Sequence, residues 1–266
     1  MAGMTAGSYG SGVHSDHQAF RVDVLKKLAE QGDVVAQNNL GYAYDFGEGV
    51  AQDQAEAVRW YRKAAEQGDA AAENNLGYAY SHGEGVAQDQ AEAVRWFRKA
   101  AEQGNASAQN KLGYAYSYSK GVAQDQAEAV RWFRKAAEQG DATGQYKLGY
   151  AYSYGEGVAQ DQAEAVRWYR MAADRGYAPA QNRLGFAYAS GIGVAQDIAE
   201  AVKWLRRAAE QGYAAGQYNL GYLYDQGTGV PLDKAEAVRW YRRAAEQGLP
   251  EAQRELSLLE QESNQE

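Results

Sequence analysis

Residues 69–104 read DAAAENNLGYAYSHGEGVAQDQAEAVRWFRKAAEQG, and this stretch decides the fold. It divides into two helical patterns around a glycine-bearing turn. In the first, Ala72, Leu76, Ala79 and Tyr80 follow the i, i+4, i+7, i+8 spacing of one apolar stripe on an amphipathic helix. Asp69 stands at the N-cap, where a side-chain oxygen accepts from a free amide of the first turn. Gly83-Glu84-Gly85 ends the pattern, because glycine takes a positive φ without steric cost. Val86, the large apolar residue of the turn, is expected to tuck between the two helices. Asp89 opens the second helix with Glu92 in the position that completes a capping box. The buried stripe that follows is Ala93, Trp96, Phe97, Ala100 and Ala101. Gly104 ends the helix, and Asn105 caps the next one.

The same pattern extends outward along the chain. Tryptophan recurs at Trp60, Trp96, Trp132, Trp168, Trp204 and Trp240, a step of 36 residues. Leu-Gly keeps that step from Leu40-Gly41 to Leu220-Gly221, and the Asp/Glu capping pair from Asp53/Glu56 to Asp233/Glu236. A fixed period of this size marks an array of one supersecondary unit. Six units are expected at 33–68, 69–104, 105–140, 141–176, 177–212 and 213–248. Residues 17–32 align with a second helix, with Val24 in the tryptophan place. Residues 249–266 align with a first helix and a tail, with Leu256-Ser257 in the Leu-Gly place. Both half-units are expected to shield the ends of a stack. Residues 1–16 are a Gly/Ser-rich lead, expected to be disordered. In the third unit Ser119-Lys120 replaces Gly-Glu, which predicts a tighter or distorted turn.

The pattern A-x-x-x-L-G-x-x-Y-x-x-G-x-G-V-x-x-D-x-x-x-A-x-x-W-[YF]-x-x-A-A-x-x-G resembles the Sel-one-like repeat (SLR) family, a relative of the tetratricopeptide repeats. The resemblance implies an all-α fold: a right-handed superhelical α/α solenoid of six 36-residue antiparallel helix-pair repeats with capping half-repeats. It also implies an adaptor or scaffold role and carries no catalytic residues with it.

Composition narrows the function classes. The net charge of −8 argues against a phosphate-neutralising surface, so no nucleic-acid partner is expected. Acidic and basic residues are interspersed rather than blocked. No stretch is long and apolar enough to span a membrane. The lead lacks the basic and apolar regions of an export signal, which points to a cytoplasmic protein. Cysteine is absent, which removes disulfides, thiolate catalysis and cysteine metal sites. His14 and His17 fall in the lead, and His82 reads as an incidental deviation at a loop edge. No phosphate loop, dinucleotide fingerprint, nucleophile elbow or paired-carboxylate constellation is present. The expectation is therefore a non-enzymatic monomer without cofactor or metal.

A binding face emerges once the positions required by the fold are set aside. Tyr78 lies about 200° around the helix from Leu76, and Asn74, Tyr78 and Ser81 form a second stripe away from the core. Stacking would set equivalents side by side: Asn38/Tyr42/Asp45, Asn74/Tyr78/Ser81, Asn110/Tyr114/Ser117, Tyr146/Tyr150/Ser153, Asn182/Phe186/Ala189 and Tyr218/Tyr222/Asp225. In tetratricopeptide-like arrays the first helices line the concave surface, so the resemblance makes this ladder the groove. Phe46, Tyr118 and Tyr154 add aromatics one turn on, and Lys111, Lys147 and Arg183 supply cations where other units carry asparagine. The candidate partner-binding residues are Asn74, Tyr78, Asn110, Lys111, Tyr114, Tyr118, Tyr146, Lys147, Tyr150, Tyr154 and Arg183. Tyrosine offers large contact area at low entropic cost, and asparagine can pair with backbone amides. A partner protein, or an extended peptide with aromatic, proline and acidic character, suits such a groove. Two alternatives remain: a glycan or cell-wall fragment stacked on the same rings, and an idealised array with no partner. The recurring groove tyrosines also admit a purely structural role in packing one first helix on the next. The tryptophans and the second aromatic of each first helix (Tyr44, Tyr80, Tyr116, Tyr152, Tyr188, Tyr224) are assigned to the core. Arg59, Arg62, Lys63 and Glu66 are assigned to a solvated outer face.

Overall fold

A computed structural model describes residues 22–263 and shows helices without strands among them. Expectations about residues 1–21, His14 and His17 included, lie outside the described residues. The first described helix, α1, covers residues 22–30. There follow α2 (Val34–Phe46), α3 (Gln54–Glu66), α4 (Ala70–His82), α5 (Gln90–Glu102) and α6 (Ala106–Ser117). The series continues with α7 (Gln126–Glu138), α8 (Ala142–Tyr154), α9 (Gln162–Asp174), α10 (Ala178–Ser190) and α11 (Ile198–Glu210). It ends with α12 (Ala214–Gln226), α13 (Lys234–Glu246) and α14 (Pro250–Ser263). The chain forms two compact units, divided between Asp125 and Gln126.

Within each unit every helix packs against the next in sequence, so even-numbered first helices alternate with odd-numbered second helices. The pairing is tight because the glycine of Leu-Gly lets a large side chain approach the backbone, an aromatic ring at Gly41, Gly77, Gly149 and Gly221 and Leu205 at Gly185. A Cβ on Gly77 would stand 2.7 Å from Phe97 Cδ1. The leucines Leu40, Leu76, Leu112, Leu148, Leu184 and Leu220 are completely buried. Trp60, Trp132, Trp204 and Trp240 are buried, and a cation one turn on covers the ring: Lys63 Nζ lies 3.9 Å from the Trp60 ring and Lys135 Nζ 4.0 Å from that of Trp132. The tryptophans are packing residues.

The helix ends follow the sequence signals with one correction. Asp69 accepts from Ala72 N at 2.7 Å and Asp89 from Glu92 N at 3.0 Å. Gly104 N reaches Ala101 O and Asn105 N reaches Ala100 O, the paired bonds of a Schellman ending. The capping box expected at Asp89/Glu92 forms only its first half. The amide of Asp89 is taken by Tyr80 O at 2.9 Å, and Glu92 pairs with Arg95 at 3.1 Å instead. Tyr177 and Tyr213 stand at N-cap positions and make no side-chain cap.

Polar bonds tie each helix pair to the next. Gln37, Gln109, Gln145, Gln181 and Gln217 are buried, and each Nε2 donates to a carbonyl of the preceding second helix, as Gln37 does to Ala29 O at 3.1 Å. Gln67 donates in turn to Gln37 Oε1 at 2.7 Å, and Gln211 to Gln181 Oε1 at 2.7 Å. Glu73 holds the same place in the second repeat, where it is 3% exposed and accepts from Gln103 Nε2 at 2.7 Å. Burial raises its pKa above the ordinary carboxylate value, with the Gln103 bond acting against that rise.

Arg62 is exposed, as expected of a solvated face, and it also makes a bond that the sequence did not announce. Arg62 donates to Tyr80 OH of the next repeat at 2.7 Å, and Arg98 likewise to Tyr116 OH at 2.7 Å. In the second unit Arg134 and Arg206 do the same to Tyr152 and Tyr224 at 2.8 Å, while Arg170 bonds Tyr188. Arg242 meets Glu260 of α14 at 3.1 Å in the place of that tyrosine. These arginines join neighbouring repeats, and most of their tyrosine partners are half-buried. Val86 packs on the cluster of Ala57, Val58 and Leu76, and so reaches the preceding second helix, α3, as well as α4. The distorted third turn is present: α6 stops at Ser117, and Ser119 takes φ 56°, the one positive φ outside glycine among the described residues.

Candidate functional site

The outward face of the first helices carries aromatic pairs one turn apart. In the first unit, Tyr42 and Phe46 have ring centroids 4.4 Å apart, Tyr78 and His82 4.0 Å, and Tyr114 and Tyr118 6.0 Å. These pairs keep the 36-residue step. His82, read from sequence as incidental, occupies the place of Phe46 and Tyr118, stacks on Tyr78 and is exposed. The signal that would have found it is the step itself: 46, 82, 118. Phe46 is 61% and Tyr118 60% exposed, and Tyr42 and Tyr78 are exposed as well. Buried leucines hold the opposite face of each helix, so the rings have no core left to enter.

Two hollows open along this face in the first unit. One, of about 410 Å³, is lined by Tyr42, Asp45, Phe46, Gln52, Gln54, Tyr61, Asn74, Asn75, Tyr78, Glu84 and Lys111. The other, of about 170 Å³, is lined by Tyr78, Ser81, His82, Gln90, Ala93, Val94, Phe97, Lys111, Tyr114, Ala115 and Lys120. Tyr78 and Lys111 form the wall they share. The charges differ: Asp45 and Glu84 border the first hollow beside Lys111, whereas Lys111 and Lys120 border the second, which no carboxylate lines.

The polar groups of the face are in part already engaged. Lys111 Nζ lies 5.1 Å from the Tyr78 ring and 5.8 Å from that of Phe97, and burial lowers its pKa from the ordinary lysine value. Tyr61 OH donates to Asp45 at 3.3 Å; burial raises the pKa of both groups, and the Asp45 charge pushes Tyr61 further up. Asn75 Nδ2 donates to Asn38 Oδ1 at 3.1 Å, so this asparagine rung links adjacent repeats. Asn110 is only 7% exposed and offers little to a partner. Asn74 Oδ1 is shielded from solvent without a hydrogen-bond partner among the described residues, in a side chain that lines the first hollow.

In the second unit Tyr150 and Tyr154 lie 4.4 Å apart. Arg183 stands over both rings, at 5.9 and 5.8 Å, and donates to Tyr154 OH at 3.1 Å. Lys147 lies 5.9 Å from the rings of both Tyr146 and Tyr150. Tyr146 is half-buried, wedged between Tyr169 at 5.8 Å and Tyr177 at 5.4 Å. Burial raises the pKa of Tyr169, with Arg183 acting against it. Tyr146 therefore packs with its neighbours, whereas Tyr154, Phe186 and Tyr222 stay exposed. Asn219 donates to Asn182 at 2.8 Å, repeating the asparagine rung.

Among the described residues no cluster of three or more His, Cys, Asp or Glu is placed to hold a metal ion. No described helix is long and apolar enough to cross a membrane.

Comparison with known proteins places this architecture. No curated protein matches the chain. Among solved structures, a protective antigen of uropathogenic Escherichia coli, c5321, which displays an SLR fold, is 42% identical with a TM-score of 0.81. That match covers 91% of this chain, which spans only 52% of the antigen. A Sel1 repeat protein from Oxalobacter formigenes is 35% identical over 87% of this chain and 96% of its own, with a TM-score of 0.76. The immunity protein Pa5087 of Pseudomonas aeruginosa, 21% identical over 80% of this chain and 81% of its own with a TM-score of 0.50, is alike in fold alone. The Sel1 repeat model matches residues 34–69, 70–105, 106–141, 142–177, 178–213 and 214–249, and by those six matches the chain belongs to the Sel1 repeat family.

Proposed function

We propose that this protein is a non-catalytic scaffold that holds an extended segment of a partner protein against the outward face of its first helices. The observation that carries this reading is the set of ring pairs on α2, on α4 and at the end of α6, all exposed but the half-buried Tyr114, repeated at 36 residues and bordering two adjoining hollows. Exposed aromatics in a contiguous row are uncommon on a surface that binds nothing, and rigid rings gain contact area with little entropic loss. Asn74 lines the first hollow beside these rings and adds an amide to its polar border. Tyr78, Lys111, Tyr114 and Tyr118 form the centre of this surface in the first unit. In the second unit Tyr150, Tyr154, Lys147 and Arg183 form a comparable patch, in which the cations already rest on the rings.

The test is selection of a displayed library of random peptides on the intact protein and on Tyr78→Ala/Tyr118→Ala. Both side chains are exposed, so the double variant should keep the wild-type helical circular dichroism. Enrichment of aromatic or proline-bearing peptides on the wild type, lost on the variant, is the expected result. Equal enrichment on both, or none on either, overturns the reading. A glycan array run in parallel, binding wild type and not the variant, would assign the face to sugars instead. Sedimentation velocity showing a dimer that the variant abolishes would assign it to self-association.

A further inference from the structure

We infer that the smaller hollow of the first unit receives an acidic side chain of the bound segment, clasped by Lys111 and set beside an aromatic or apolar neighbour of that segment. The inference rests on the reading that this face binds a peptide, and it specifies one position of that peptide. In a protein of net charge −8, the titratable groups lining this hollow are the cations Lys111 and Lys120, His82, and the phenols Tyr78 and Tyr114, with no carboxylate among the lining residues. Lys111 is half-buried, and no carboxylate of the described residues pairs with it; its ammonium rests on the faces of Tyr78 and Phe97. Burial disfavours its charged form, so an incoming carboxylate would gain an ion pair with a group whose desolvation is already complete in part.

The walls fit the rest of such a segment. Phe97, Ala93, Val94 and Ala115 give an apolar floor, and Ser81 and Gln90 add polar groups at the border. The neighbouring hollow carries two carboxylates at its border, Asp45 and Glu84, alongside the shared Lys111. An acidic side chain therefore meets no carboxylate in the smaller hollow and two beside Lys111 in the larger, which favours one register of the chain across the shared wall of Tyr78 and Lys111. Position 111 is asparagine in the equivalent places Asn39, Asn75 and Asn219, so the lysine is not a requirement of the repeat.

The test reads the sequences selected by the peptide library on wild type, on Lys111→Met and on Lys111→Glu, each checked by circular dichroism. Wild type should enrich Asp or Glu at one fixed spacing from an aromatic or proline. Lys111→Met should keep the aromatic and lose the acid. For a selected peptide, replacing its Glu by Gln should weaken binding about tenfold on wild type and little on Lys111→Met, and the difference should shrink as salt is raised. Lys111→Glu should enrich Lys or Arg at the same spacing, which rescues the interaction if Lys111→Met proves poorly folded. Peptides that depend on Tyr78 and Tyr118 yet show no acid preference, or keep it in Lys111→Met, would overturn this inference and leave the peptide-binding reading standing. No selected peptide at all would overturn both.

Discussion

Replacing Glu73 with glutamine should make the protein more stable at neutral pH. Glu73 is a buried carboxyl in a place where five other repeats bury glutamine. Those glutamines donate to a carbonyl of the preceding second helix, as Gln109 does to Ala101 O at 3.1 Å. An ionised Glu73 has no hydrogen to give Ala65 O, though it accepts from Gln103 as a glutamine oxygen would. Glu73→Gln adds one buried hydrogen bond, about 1 kcal/mol, and removes the cost of a buried charge. Together these come to about 2 kcal/mol at neutral pH, on the order of 5 °C in Tm for a chain of this size. Burial is the main cause of the raised Glu73 pKa, so the folded protein holds this proton more tightly than the unfolded chain. The stability contributed by the protonated group is present below the unfolded carboxylate pKa and is lost as pH rises through the higher folded one. The gain from Glu73→Gln should therefore be near zero at about pH 4, grow as pH rises and level off at neutral pH. Thermal melts of both proteins across that range, followed by circular dichroism, measure it. A lower Tm for the variant at neutral pH, or a gain independent of pH, would refute this account of the buried ladder.

Three other substitutions probe the repeat. Gly85→Ala would place a Cβ 2.1 Å from Gln54 O at the start of α3, at a φ of 67°, and should cost about 3 kcal/mol or more in denaturant melts. Ser119→Gly relieves the one positive φ outside glycine among the described residues and should stabilise by up to about 1 kcal/mol, seen as a later urea midpoint. Asp89→Ala should cost about 1 kcal/mol through the lost cap, whereas Glu92→Ala should cost only a few tenths through the exposed Arg95 pair. Equal losses at Asp89 and Glu92 would show that the reciprocal half of the capping box forms after all.

What could be read from sequence was whatever the 36-residue step repeats within one helix pair. Leu76, Trp60, Asp69 and Gly104 announce a buried stripe, a packing ring, a cap and a stop, because each acts on residues a few positions away. Interactions between repeats were not legible in the same way. Arg62 and Tyr80 are 18 residues apart and each looks like an ordinary member of its own helix; their bond exists only once one pair is stacked on the next. Gln37 has no sequence mark of burial, since glutamine is most often a surface residue. The second half of the capping box failed because Tyr80 O, brought close by the turn, competes for the Asp89 amide. The aromatic face was visible as a ladder of tyrosines, but not which members stay exposed. Asn110 and Tyr146 recede into packing, while His82 joins the ring pairs on the strength of its position rather than its residue type.

The most direct measurement of the central claim is photo-crosslinking of a selected peptide carrying a benzophenone in place of its aromatic residue, followed by mass spectrometry. Crosslinks should fall on the outward residues of α4 and α6, around Tyr78, His82, Tyr114 and Tyr118, and disappear with excess unlabelled peptide. Crosslinks concentrated on the second helices, around Arg59, Lys63 and Arg95, would contradict the assignment of the binding face.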